Sequence, residues 1–197
     1  MSISDEHLDL LKKGILMITS VPEEELNKLQ DIFFSKTLSR DEYFLREGEL
    51  PKQIGFIISG VVRFYYTTDK GEDFIKSFAT EETFITSYSA ILRNKASTFF
   101  IQALEETTLL VTNYIDFVQV TKRHPSWQVM VNRILETLYL KKEKRENQFL
   151  SDDAQTRYEK FKIEFPNLKN RVHQYHIASY LGITNVSLSR LRKKNKN

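Results

Sequence analysis

Residues 174–193 carry a spacing that admits very few folds. With Gln174 as the first of twenty positions, apolar side chains fall at the fourth, eighth, tenth, fifteenth and eighteenth: Ile177, Leu181, Ile183, Leu188 and Leu191. Ala178 is small at the fifth position and Gly182 stands at the ninth. Two helices that cross closely need a small residue at the crossing, and the tight turn between them needs a residue that tolerates positive φ. All seven requirements met together predict two short helices joined by a turn, a helix-turn-helix. A helical hairpin that matches by chance is the weaker reading.

The charge distribution points the same way. The net charge is only +3, but no acidic residue follows Glu164, whereas Lys169, Arg171, Arg190, Arg192, Lys193, Lys194 and Lys196 do. A basic end on an acidic body suggests a polyanion partner, with phosphate contacts supplying most of the affinity. In this geometry Thr184 is placed to cap the second helix close to phosphate. Asn185, Val186, Ser189, Arg190 and Lys193 project outward as candidates for the major groove of double-stranded DNA. Arg190 can pair with a guanine edge, Asn185 with adenine, and Val186 can touch a thymine methyl. Ser187, Arg192 and Lys194 are expected to contact phosphate, which positions without specifying sequence.

The remaining residues divide by periodicity. Residues 5–34 repeat Leu8, Leu10, Leu11, Ile15 and then Leu26, Leu29, Ile32, Phe33 at helical spacing. From about 37 to 115 the pattern becomes β, with short apolar runs over 54–58, 61–66, 74–78, 84–88, 99–104 and 108–112. Turn signals such as Ser59-Gly60 and Asp69-Lys70-Gly71 separate them, as in an antiparallel sandwich or jelly roll. Residues 115–150 return to helix, and Trp127, Val131, Ile134 and Leu138 form one apolar stripe. That stripe either packs on the chain's own β-region or, as its length favours, forms a coiled-coil-like seam in a homodimer. Ser151-Asp152-Asp153 caps a further helix that Pro166 stops.

Several chemistries are excluded at this level. There is no cysteine, so disulfides, thiolate nucleophiles and iron–sulfur clusters are absent. The four histidines are His7, His124, His173 and His176, none of them in the β-region, which removes the metal site of a cupin-like enzyme. His173 and His176 read as surface or capping residues, no metal site is expected, and the chain is not read as an enzyme. No apolar run could span a bilayer and residues 1–7 do not read as a signal peptide, so the expected location is cytoplasmic, away from membranes.

Two stretches carry a family resemblance. The first is Phe56-Ile57-Ile58-Ser59-Gly60-Val61-Val62-Arg63-Phe64 with Asp69-Lys70-Gly71-Glu72, and the second is residues 172–194. Together they resemble the Crp/Fnr regulators, particularly short members from Bacteroidetes-like bacteria, over nearly the whole chain. The resemblance implies an α+β fold: an N-terminal double-stranded β-helix of the cyclic-nucleotide-binding type, a long dimerisation helix and a C-terminal helix-turn-helix. The corresponding segments are 1–115, 116–150 and 151–197. The implied function is sequence-specific transcription regulation as a homodimer, with RNA polymerase as a further partner. Asn185, Val186 and Arg190 fall at the family's base-reading positions, and Arg190 alone matches the common pattern. The β-wing that follows the recognition helix in the family has no counterpart up to Asn197.

The family's nucleotide chemistry does not carry over. Its phosphate cassette pairs a Gly-Glu with an Arg-Ser step; here Thr86-Ser87 and Ser97-Thr98 stand in those places. A buried cyclic phosphate without an arginine would lose its hydration with little return. Arg93 and Lys95 are nearby basic residues but read as solvated loop charges. No cyclic nucleotide or other cofactor is therefore expected, and any effector is unidentified. The alternative function is a small-molecule-binding or protein-interaction module that no longer binds DNA.

Overall fold

The computed structural model describes residues 3–194, with the side chain of Lys194 outside that description. Ser4 opens the first helix, α1 (Asp5–Ile18), by accepting the His7 backbone N–H at 3.3 Å. Asp5 and Glu6 in its first turn face the positive end of the helix dipole. Leu8, Leu11 and Ile15 are buried on one side. Between them a Cβ at Gly14 would lie 2.7 Å from the Phe56 ring, so the close approach of α1 to the strand bearing Phe56 depends on glycine. A short helix α2 (Glu23–Asn27) and a 3-10 turn follow, and the predicted helical region ends there. Phe34 already belongs to a strand.

Among the described residues, eight strands form two four-stranded sheets. They are β1 (Phe34–Leu38), β2 (Tyr43–Leu45), β3 (Gln53–Ser59), β4 (Val62–Thr67), β5 (Asp73–Ala79), β6 (Phe84–Ile85), β7 (Phe100–Ala103) and β8 (Thr107–Asn113). The first sheet runs β1-β8-β3-β6 and the second β2-β7-β4-β5. On β8, Leu109 and Val111 face the interior shared with Ile57, Val62 and Ile101, while Leu110 turns to the helices with Phe56. A sheet buried on both faces explains why β3 and β8 read as apolar runs without a polar face. The expected double-stranded β-helix is present.

Three local expectations are corrected. The strand predicted over 84–88 stops at Ile85, and Tyr88–Arg93 form a helix, α3, closed by Asn94 at φ +48°. The helical stretch 115–150 is two helices, α4 (Tyr114–Thr121) and α5 (Pro125–Ser151). Pro125 begins α5, where its missing N–H costs nothing. Trp127 is not a surface residue: it is fully buried in its own unit, and its indole N–H donates to Glu25 Oε2 at 3.2 Å. Val131 and Ile134 pack partly on the same core. Trp127 therefore has no surface to give to a partner chain.

Helices α6 (Ala154–Glu164), α7 (Gln174–Leu181) and α8 (Asn185–Lys194) follow among the described residues. Asp153 caps α6, its carboxylate accepting the Thr156 N–H at 2.8 Å. Internal contacts divide the molecule into two units. One comprises residues up to 64 with 78–137, and the other residues 65–77 with those from 138 on. The tip of the β4–β5 hairpin thus belongs to the unit that contains α7 and α8. Among the described residues no helix is long and apolar enough to cross a membrane.

Candidate nucleic-acid interface

The second unit has an aromatic core. Phe161, Phe165 and Tyr180 meet with ring centroids 5.5–5.8 Å apart. Around them Tyr158, Leu168, Ile177, Leu181 and Leu188 are buried. Ile177, Leu181 and Leu188 are three of the apolar positions that defined the twenty-residue pattern. Ala178 is also buried, and Ile183 and Leu191 are half-buried.

The turn is built as its sequence requires. Gly182 adopts φ +66°, ψ +38°, and the N–H of Ile183 reaches back to the Ala178 carbonyl at 3.0 Å. An added Cβ at Gly182 would stand 2.8 Å from the Phe149 ring, so space and backbone both select glycine. Two arginines take the carbonyls left open at the end of α7. Arg145 donates to Tyr180 O at 2.9 Å, and Arg157 Nε donates to Leu181 O at 3.1 Å. Cations at a helix C-terminus also suit its dipole. Burial pushes the Arg145 guanidinium below its ordinary pKa and the Tyr180 hydroxyl above its own.

Thr184 caps α8 as expected. Its Oγ1 accepts the Ser187 N–H at 3.2 Å and lies 2.9 Å from the Ser187 hydroxyl. Asn185, Val186, Ser189, Arg190 and Lys193 are all exposed on α8, with Val186 at 60%. Leu188, fully buried, holds the opposite side. This arrangement presents an amide, a methyl-bearing side chain, a hydroxyl and two cations on one exposed helix. Ser187 and Arg192 are half-buried, so neither is a free surface group, and the side chain of Lys194 lies outside the described residues. At the start of α7, His173 and Tyr175 are exposed and stacked at 12°, whereas His176 is buried. The reading of His176 as a surface or capping residue is corrected: it is a core residue of this unit.

The cassette region of the first unit offers little to a cyclic phosphate. Ser87 and Ser97 are buried, and their hydroxyl oxygens lie 3.0 Å apart. The Ser97 hydroxyl also lies 2.8 Å from Phe99 O, and Thr86 donates to Gln53 O at 2.9 Å. Arg93 donates to Ser89 O of its own helix at 3.0 Å, and Lys95 is exposed. These residues do not fit the group: the Thr86, Ser87 and Ser97 hydroxyls have partners within the chain, and Arg93 is bonded to its own helix. Sequence reading missed this pairing because Ser87 and Ser97 lie in separate connecting segments on either side of α3.

Comparison with known proteins sets these features in context. Residues 35–124 match the model of the cyclic nucleotide-binding domain. No curated protein matches the chain. Among solved structures, the c-di-GMP-responsive global regulator CLP of Xanthomonas campestris is similar at TM-score 0.69 and 13% identity, covering 89% of this chain and 92% of that one. A CooA mutant from Carboxydothermus hydrogenoformans is similar at TM-score 0.66 and 20% identity, covering 83% and 76%. The cAMP-bound PfPKA-R (141-441) reaches TM-score 0.54 at 15% identity over 61% of this chain, which spans 43% of that structure. At these identities the likeness is one of fold. Residues 35–124 therefore form a cyclic nucleotide-binding-type β-roll, set in a chain whose α+β fold is similar to those of CLP and CooA.

Proposed function

We propose that this protein is a Crp/Fnr-type transcription regulator that binds a specific DNA sequence as a homodimer. The observation that carries the reading is the helix-turn-helix itself: a glycine turn at positive φ, a capped second helix, and four polar side chains with Val186 exposed along it. In this reading Arg190, Asn185 and Val186 read bases, and Ser189 and Lys193 flank them. Thr184 and the α8 N-terminus sit against phosphate, with Arg192 and Lys194 adding charge.

A homodimer would place two recognition helices in successive major grooves roughly 34 Å apart. The exposed apolar side chains of α5 support such a pairing: Leu138 is 50% and Tyr139 68% exposed, and Leu135 is half-buried. The β-roll acts without cyclic nucleotide, because Ser87 and Ser97 hold each other. RNA polymerase is the natural further partner of a promoter-bound regulator.

The test is selection of random duplex DNA on the purified protein at physiological salt, followed by sequencing. A two-fold-symmetric motif is expected, with an affinity that falls steeply as salt rises. Absence of any enriched motif overturns the reading in favour of a binding module that has lost DNA recognition.

A further inference from the structure

Among the described residues β5 is the last strand of its sheet, so one of its edges has no neighbouring strand there. In the second unit that edge is occupied by side chains. The Ser179 hydroxyl, on α7, donates to Asp73 O at 2.9 Å and accepts the Ile75 N–H at 3.0 Å. Arg145, on α5, donates to Ile75 O at 3.1 Å with the same nitrogen that reaches Tyr180 O at 2.9 Å. Its guanidinium lies 3.8 Å from the centre of the Tyr180 ring. Residues 73 and 75 direct their backbone groups to the same edge of a strand, and Ser179 and Arg145 together satisfy three of these groups.

A strand edge usually needs protection from pairing with other chains, and a covering helix is one solution. Here the cover is the first helix of the helix-turn-helix, joined by directed hydrogen bonds rather than by apolar contact alone. A serine that both donates and accepts specifies one registration of α7 along β5, since a shift of one residue would face it with groups turned the other way.

We infer that Ser179 and Arg145 are positioning residues for DNA binding. They fix α7, and through the Gly182 turn α8, to the tip of the β4–β5 hairpin, making residues 65–77 a working part of the DNA-binding unit. The inference rests on the DNA-binding reading above. With α8 exposed in this arrangement, loosening the attachment spreads the helix pair over more orientations and weakens binding.

The experiment compares the full-length chain with Ser179→Ala and Ser179→Thr. Amide hydrogen exchange at Ile75 is read without DNA, and affinity is read on the two-fold-symmetric duplex recovered by selection. Ser179→Ala should speed exchange at Ile75 about tenfold and weaken DNA binding about fivefold or more, with Ser179→Thr restoring both. Unchanged exchange overturns the attachment. Faster exchange with unchanged affinity reduces Ser179 to a structural contact and overturns its positioning role. If the unsubstituted chain recovers no duplex while exchange still responds to Ser179→Ala, the DNA-binding reading fails, and the positioning role with it, although the attachment itself stands.

Discussion

Ser87 and Ser97 meet at 3.0 Å through their hydroxyl oxygens, and both are sealed from solvent. Small, neutral and mutually bonded, they stand at the two places where the cassette of the resembling family carries a carboxylate for the ribose and a guanidinium for the cyclic phosphate. A ligand bound to the folded state at a hundred times its Kd stabilises by about 2.7 kcal/mol. Millimolar cyclic AMP should leave the thermal unfolding midpoint unchanged. Ser97→Arg should destabilise by about 3 kcal/mol in urea, because it inserts an unpaired charge into a closed site.

Arg190 is exposed on α8 beside Ser189. If it reads a base edge, Arg190→Ala relaxes preference at one position of the selected motif by roughly 1–3 kcal/mol. Arg192, half-buried, should behave differently. Arg192→Ala should weaken binding to all sequences alike and lower the salt slope. Equal, sequence-independent losses for both variants would make Arg190 a phosphate contact.

Glu25 holds Trp127 through its carboxylate and pairs with Lys28, whose hydrogen bond does most to keep the Glu25 pKa below its ordinary 4.5. A carboxylate whose folded pKa is depressed contributes stability above the unfolded value and loses it as pH falls through the folded one. The unfolding midpoint should therefore drop as pH falls below the ordinary glutamate value of 4.5, and Glu25→Gln should make that drop shallower. A profile of identical steepness in the variant would refute this role for Glu25.

Light scattering on Leu138→Glu with Tyr139→Glu tests the proposed seam. Both side chains are exposed, so the double variant should fold and run as a monomer where the parent runs as a dimer. A dimer that survives places the interface elsewhere. Trp127→Ala is the contrasting change, expected to cost about 3–5 kcal/mol of folding stability, because it empties a core site.

How far the sequence could be read depended on the range of each constraint. The helix-turn-helix was legible because Ala178, Gly182 and the apolar positions act within twenty residues, through steric rules that hold wherever such a turn occurs. The series of short β runs between turn signals was legible for the same reason, although β6 was read too long: the residue types from Phe84 to Tyr88 do not reveal that Ser87 precedes a helix. Trp127 shows the limit on α5. A stripe at helical spacing looks alike whether it meets its own core or a second chain, and only burial separates the two.

The attachment of Ser179 to β5 lay wholly beyond the sequence. It joins residues more than a hundred positions apart through backbone groups of Asp73 and Ile75. Backbone carbonyls and amides are the same for nearly every residue, so no residue type announces which of them will meet a serine. The sequence alone determined most of the chain's local elements, its basic end and the pattern of its helix-turn-helix, because side-chain size, charge and φ preference act locally. The tertiary structure decided which apolar face is core, which hydroxyls are paired and what holds the helix-turn-helix, because those follow from where distant segments come together.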